Sequence, residues 1–334
     1  MKTAIVYFQI YILLFFLFSC SKGDEETIEE ITVEETIDEV ETDDDGETID
    51  EEDFNYEFTK QHFLHDLTGA SFPYSFFQPK GADILSDQKY PLIIALHGTE
   101  YYLKSEAEFL NDSKTGYMAL AWIEKENQKQ YPAYVVAPNL NNGLWTKHFE
   151  YNDGWAGEES IDFIEKLLTT LLADYPNIDE NRIYLTGHSM GGGATWYIAT
   201  QMKERLAAIV PFAQSLSVNN SRFQEVLSNI DNDTFKNIPI WEFIHQDDKV
   251  GGAKTSRMMF SRLQSKGYSP VYTHWYDDQE FSLTDAAIET AIGNNKKYFY
   301  SEYAYDCGDD CHYVMTTALK QDYLFKWLFS QRKG

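Results

Sequence analysis

Arg182-Ile183-Tyr184-Leu185-Thr186-Gly187-His188-Ser189-Met190-Gly191-Gly192-Gly193-Ala194-Thr195-Trp196-Tyr197-Ile198-Ala199 decides how this 334-residue chain folds. The first five residues are apolar or β-branched and read as a buried strand. The run from Gly192 reads as the start of a tightly packed helix. Between them lies Gly187-His188-Ser189-Met190-Gly191, a G-x-S-x-G run at an abrupt strand-to-helix turn. A serine on such a turn tolerates no bulk on either side, and glycine supplies that. The following helix N-terminus directs backbone N–H groups at a reacting oxygen. Ser189 is therefore the candidate nucleophile.

Working outward, apolar runs alternate with helical periods. Strands are expected over 74–78, 91–96, 133–137, 182–186, 207–212, 238–245 and 271–275. Helices are expected over 117–128, 159–173, 254–266 and 315–329. Near-continuous apolar strands separated by helices predict an α/β fold with a mostly parallel sheet and helices on both faces. Ligands then bind beyond the strand carboxyl ends, where both Ser189 and the pair His97-Gly98 fall. About 280 residues rich in Phe, Tyr and Trp suit one catalytic domain, 54–334.

A serine nucleophile needs a base, and the base needs an acid that fixes its tautomer. His245, His274 and His312 follow Ser189 in the chain. His245 ends a strand and His274 lies inside one. His312 precedes the last helix and is the candidate base. Asp247 and Asp248, on the acidic turn after strand 238–245, compete as the acid. By position, the N–H groups of Met190 and Thr99 are the candidate oxyanion donors. Tyr101, Trp145 and Trp155 are aromatic candidates for contact with sugar or phenolic rings. The chemistry calls for no metal and no organic cofactor.

The segment from Tyr90-Pro91 to His97-Gly98, the run 179–192, the segment from His245 to Arg257, and His312 with Ala318 together resemble secreted esterases of the feruloyl esterase and polyhydroxybutyrate depolymerase-like group. That resemblance covers 72–334 and implies an α/β-hydrolase fold. It also implies ester groups of plant polysaccharides, feruloyl or acetyl, as substrate. The frame Asp248-Lys249-Val250 followed by Ser256-Arg257 fits the family pattern and implies Asp248 as the acid. A serine peptidase of the same fold and a surface glycan-binding protein without catalysis are the alternative readings.

At the other end, Met1-Lys2-Thr3 precedes an apolar run, 4–18, too short for a comfortable membrane span. It ends Ser19-Cys20, which looks like a bacterial lipobox: a signal peptide over 1–19 and lipidation at Cys20. Residues 20–53 read as an acidic tether, with 18 acidic side chains and no Lys or Arg from Asp24 onward. An exported lipoprotein of the outer membrane or cell surface is the expectation. The chain carries a net charge of −27, and residues from 54 onward still hold 36 acids against 25 bases. That balance argues against nucleic acid as a partner, and leaves the lipid anchor as the expected link to a membrane. Cys307 and Cys311, in an exported chain, are expected as a disulfide rather than as metal ligands.

Overall fold

The computed structural model describes residues 55–65, 69–82, 87–100, 116–140, 155, 158–274 and 283–334. Within them a nine-stranded sheet has the order β1-β2-β4-β3-β5-β6-β7-β9-β8. The strands are β1 (Thr59–His65), β2 (Ala70–Phe77), β3 (Tyr90–Leu96), β4 (Tyr134–Pro138), β5 (Ile178–His188), β6 (Ala208–Phe212), β7 (Ile240–His245), β8 (Val271–His274) and β9 (Tyr298–Tyr303). β2 runs antiparallel to both its neighbours, and every other pairing is parallel. β3, β4, β6 and β7 are buried at every position, so both faces of the central sheet are covered. The α/β class and mostly parallel sheet expected from the sequence are the ones observed.

The chain order places the site. After β3 the chain adds β4 on one side and then returns to add β5 on the other. β3 and β5 are neighbours in register, with Leu96 opposite Gly187. The loops leaving these two strands, His97-Gly98 and His188-Ser189, therefore emerge side by side at the switch in strand order.

Two expected helices are broken. The helix expected over 117–128 is a turn of α-helix, Tyr117–Leu120, a 3-10 turn, Ala121–Ile123, and a helix, Lys125–Gln130. The break falls at Glu124, whose ψ of 134° is extended. The C-terminal helix is likewise two pieces, Met315–Ala318 and Asp322–Ser330. Both pieces keep a buried apolar stripe, which is why one helical period reads across the break. The observed elements also include β1, β9 and the helices Ser221–Asp231 and Asp285–Gly293.

β9 escapes a hydrophobicity reading because Ser301 and Glu302 interrupt its aromatic run, yet all six of its positions are buried. Glu302 is held there by a bidentate ion pair with Arg257 and by the Tyr300 hydroxyl, which donates to it at 2.7 Å. Glu242, on the adjacent strand β7, has no cation partner among the described residues. The Ser256 hydroxyl donates to its Oε1 at 2.6 Å, while Oε2 and the nearby Trp196 indole do not meet in a well-formed hydrogen bond.

Burial, above all, pushes the Glu242 carboxyl up from 4.5 to about 8. Between those pH values the group therefore takes up a proton on folding. The stability this group contributes is fully present below about pH 4.5 and is lost as pH rises to about 8. Glu242→Gln is expected to flatten this slope. Urea melts of wild type and variant at pH 5 and pH 8.5 test it, and parallel losses in both proteins would contradict it.

Candidate active site

Ser189 caps the junction of β5 and the helix Met190–Gln201 with φ 58° and ψ −116°. A non-glycine residue there stores about 1–3 kcal/mol of backbone strain. The neighbouring strand holds the turn: Ser189 N–H donates to the Phe212 carbonyl at 3.0 Å, and Gly193 N–H donates to the Ser189 carbonyl at 2.9 Å. The flanking glycines are required by proximity. A Cβ on Gly191 would collide with the Leu96 carbonyl oxygen and lie 2.7 Å from that of His97. A Cβ on Gly187 would collide with the Gly191 carbonyl.

His312 and Asp248 meet across 64 residues of sequence, with Nδ1 donating to Oδ2 at 2.8 Å. The other carboxylate oxygen accepts the Val250 and Gly251 N–H groups at 2.9 and 2.7 Å. Burial is the largest influence on Asp248 and works to raise its pKa. The His312 hydrogen bond and charge, with the Gly251 and Val250 amides, outweigh it and hold the carboxyl below its ordinary value. Asp247 is exposed and takes only the Gln246 amide, at 3.2 Å. His312 Nε2 is buried with no hydrogen-bond partner among the described residues. His245 and His274, the other histidines after Ser189, serve elsewhere: His245 Nε2 donates to the Tyr305 carbonyl at 2.9 Å, and His274 packs on Tyr303 at the sheet edge.

Next to Ser189 lies the loop after β3. Gly98 is so close that a Cβ on it would stand 3.1 Å from that of Ser189. The His97 ring folds back on this loop. Its Nδ1 donates to the Gly98 carbonyl at 2.7 Å, and its Nε2 accepts the Leu140 N–H at 3.1 Å. Burial lowers the His97 pKa to about 3, so the ring is neutral and keeps this tautomer. In a trans peptide the N–H points opposite the C=O. Fixing the Gly98 carbonyl on the His97 ring therefore also fixes the Thr99 N–H, facing away from that ring.

Trp155 requires a correction. Expected as a surface for substrate rings, it is fully buried, its indole N–H donating to the His97 carbonyl at 2.9 Å and its ring meeting His97 edge-on. It supports the loop after β3 and offers no free face. Tyr101, Trp145 and Cys20 lie outside the described residues, as do the expected signal peptide and tether.

Two further residues belong to the site and were not singled out from the sequence. His188, inside the G-x-S-x-G run, donates from Nε2 to the His312 carbonyl at 2.8 Å. It is neutral, burial having lowered its pKa to about 3. The neighbour of Ser189 thus holds the backbone of His312. Glu100 turns a carboxylate oxygen, Oε2, into the same space, where it is buried without a partner. A search confined to histidines after the serine passes over His188, and Glu100 gives no sequence signal beyond following Thr99.

Cys307 and Cys311 are disulfide-bonded, as expected. Cys307 Sγ lies 3.6 Å from His245 Nδ1, so the bridge touches the end of β7, just before the turn that carries Asp248. With both sulfurs in the bridge, the group His245, Cys307 and Cys311 offers no thiolate to a metal.

The chain is similar to a lipase family and to several known esterases. Residues 114–257, which include Ser189 and Asp248, match the family described as Lipase (class 3). A probable feruloyl esterase C of Aspergillus terreus is 30% identical over 133 residues, covering 39% of this chain and 42% of that protein. The bifunctional acetylxylan esterase/xylanase XynS20E of Neocallimastix patriciarum is 27% identical over 121 residues, covering 36% of this chain and 15% of that protein. The chain therefore spans less than half the length of either relative. Among solved structures, a thermostable esterase superposes with a TM-score of 0.62 at 27% identity, over 83% of this chain and 63% of its own. The fold is that of the α/β-hydrolases, and the resemblance read from the sequence stands.

Proposed function

We propose that this α/β-hydrolase is a serine carboxylic ester hydrolase acting on ester groups of plant polysaccharides, feruloyl or acetyl. The observation that carries the reading is a His312–Asp248 couple, its Nε2 unpartnered among the described residues, that is tied through His188 to the strained elbow residue Ser189. Ser189 Oγ attacks the ester carbonyl and passes its proton to His312 Nε2. Asp248 stays ionised, orients the ring and balances the imidazolium. The Thr99 and Met190 N–H groups receive the developing oxyanion. His312 then protonates the leaving alcohol, and water activated by the same histidine hydrolyses the acyl-enzyme. The polysaccharide ester is supported by the relatives, one named as a feruloyl esterase and one as an acetylxylan esterase.

Short aryl esters and aminoacyl amides, assayed side by side with Ser189→Ala as control, test the reaction class. Turnover of esters alone, lost in the variant, is expected. Amide turnover would make the chain a peptidase, and no turnover of either would leave it a binding protein.

The disulfide yields a second expectation. A bridge closing so short a loop stabilises by about 2 kcal/mol through chain entropy. It also sits between the base and the strand that delivers the acid, where small displacements are costly to catalysis. Reduction is therefore expected to lower the melting temperature by only a few degrees while ester turnover falls more steeply. Parallel thermal melts and kinetics with and without dithiothreitol measure both, and unchanged turnover would remove this role. For the N-terminus we propose export and lipidation at Cys20. Loss of membrane association in Cys20→Ala tests it.

A further inference from the structure

Three donor groups converge beside Ser189. Glu100, His188 and His312 each offer one ligand atom, and the three atoms lie within 4.8 Å of one another. The hydrogen bonds already made say which atoms these are. His312 Nδ1 is engaged by Asp248, leaving Nε2, which is buried and unpartnered. His188 Nε2 is engaged by the His312 carbonyl, leaving the lone pair of Nδ1. On Glu100, Oε2 is buried and unpartnered. Two imidazole nitrogens and one carboxylate oxygen thus face a common space, and two of the three have no hydrogen-bond partner among the described residues.

This donor set has a chemical preference. Hard cations such as calcium and magnesium favour all-oxygen sites, whereas paired imidazoles with one carboxylate suit zinc and its neighbours. Around a tetrahedral zinc with bonds of about 2.0–2.2 Å, ligand atoms stand roughly 3.4 Å apart. The present spread closes to that by small rotations, chiefly of the Glu100 side chain, which comes from a loop rather than a strand. Both histidines also have their second nitrogens oriented by acceptors, the Asp248 carboxylate for one and a backbone carbonyl for the other. Zinc-binding histidines are held in the same way.

We infer that Glu100, His188 and His312 form an inhibitory site for zinc. The ion takes the His312 Nε2 lone pair, which on the proposed mechanism must accept the Ser189 proton. Zinc and acyl transfer therefore exclude each other. The consequence for turnover rests on the esterase reading, but binding of the ion does not.

The test uses the full chain with its disulfide intact and no reductant. Calorimetric titration with zinc chloride is expected to show one site per chain above weak uptake by the acidic N-terminal stretch. Loss of an outer partner of a metal ligand already costs about 10–100-fold in affinity, so Glu100→Gln is expected to cost at least that. Calcium chloride is expected to leave this site empty. In a second measurement, saturating zinc slows labelling of Ser189 by a fluorophosphonate about tenfold or more, and a chelator restores it. Equal zinc affinity in wild type and Glu100→Gln overturns the site, as does wild-type labelling that zinc leaves unchanged. Should Glu100→Gln not fold, wild-type labelling decides alone. Failure of Ser189 to label even without zinc counts against the esterase reading, and calorimetry then still decides the site.

Discussion

Ser189→Ala is expected to lower ester turnover by about four to six decades while leaving the melting temperature unchanged. The methyl group keeps the Cβ and the positive φ of the elbow, so neither the strain nor the packing against Gly98 changes. What disappears is the one oxygen that can become the acyl-enzyme bond. His312→Ala is expected to cost a similar factor, because an unassisted serine hydroxyl is a weak nucleophile at neutral pH. On the proposed mechanism the two residues act on one proton and one bond. The double variant should therefore be little worse than either single variant. Steady-state hydrolysis of an aryl ester by the three variants measures this. Losses that multiply would show that the two side chains act on separate steps, and the triad would have to be abandoned.

The second large effect concerns the acid. Asp248→Asn is expected to reduce turnover by about four decades, and Asp247→Asn by less than about threefold. The surroundings of Asp248 dictate how the asparagine must sit. The Val250 and Gly251 N–H groups both point at Oδ1 and demand an acceptor there. The amide nitrogen is then forced toward His312, so Nδ1 must accept rather than donate. That places the ring proton on Nε2, the atom required to take a proton from Ser189. The variant folds with its base in the wrong tautomer. Asp247 lies on the surface with one glutamine contact, and its charge reaches the ring only through solvent. Kinetics of the two variants, with circular dichroism as the folding control, measure the contrast. The reverse order would move the acid to Asp247.

Much of this architecture is legible in the chain because the central strands are apolar at nearly every position. β3, β4, β6 and β7 begin and end within a few residues of where hydrophobicity alone puts them. The Gly187-to-Gly191 run announces the elbow because each glycine answers a backbone contact that no side chain could survive. β9 is harder to see. Its buried Glu302 reads as a solvent position until Arg257, 45 residues away, is known to neutralise it. Trp155 is hard to read for a related reason. A tryptophan in a polar loop looks like a binding surface, and only the fold reveals that the His97 carbonyl claims its N–H. Asp248 and Asp247 are equivalent by composition, and what separates them is which one meets the two amides of the following turn. The role of His188 is invisible in the chain because its partner is a backbone carbonyl, a group that leaves no mark in a sequence.

The side chain of Gln214 ties the acid-bearing turn to a different part of the sheet. Its amide nitrogen donates to the Gly252 carbonyl, the Thr255 hydroxyl and the Ser256 hydroxyl at 2.8–3.0 Å, while its oxygen accepts the Leu216 N–H at 2.7 Å. Gly252 N–H in turn donates to the Gln214 carbonyl at 2.6 Å. The turn that carries Asp248 is thereby fastened to the segment leaving β6, and Ser256 passes the connection on to Glu242 in β7. Local opening of the turn requires that these bonds break together, so its opening free energy approaches that of the sheet rather than that of a surface loop. A catalytic loop usually trades order for adaptability. This one shares the cooperativity of the core, so on the proposed mechanism Asp248 keeps its orientation from one turnover to the next.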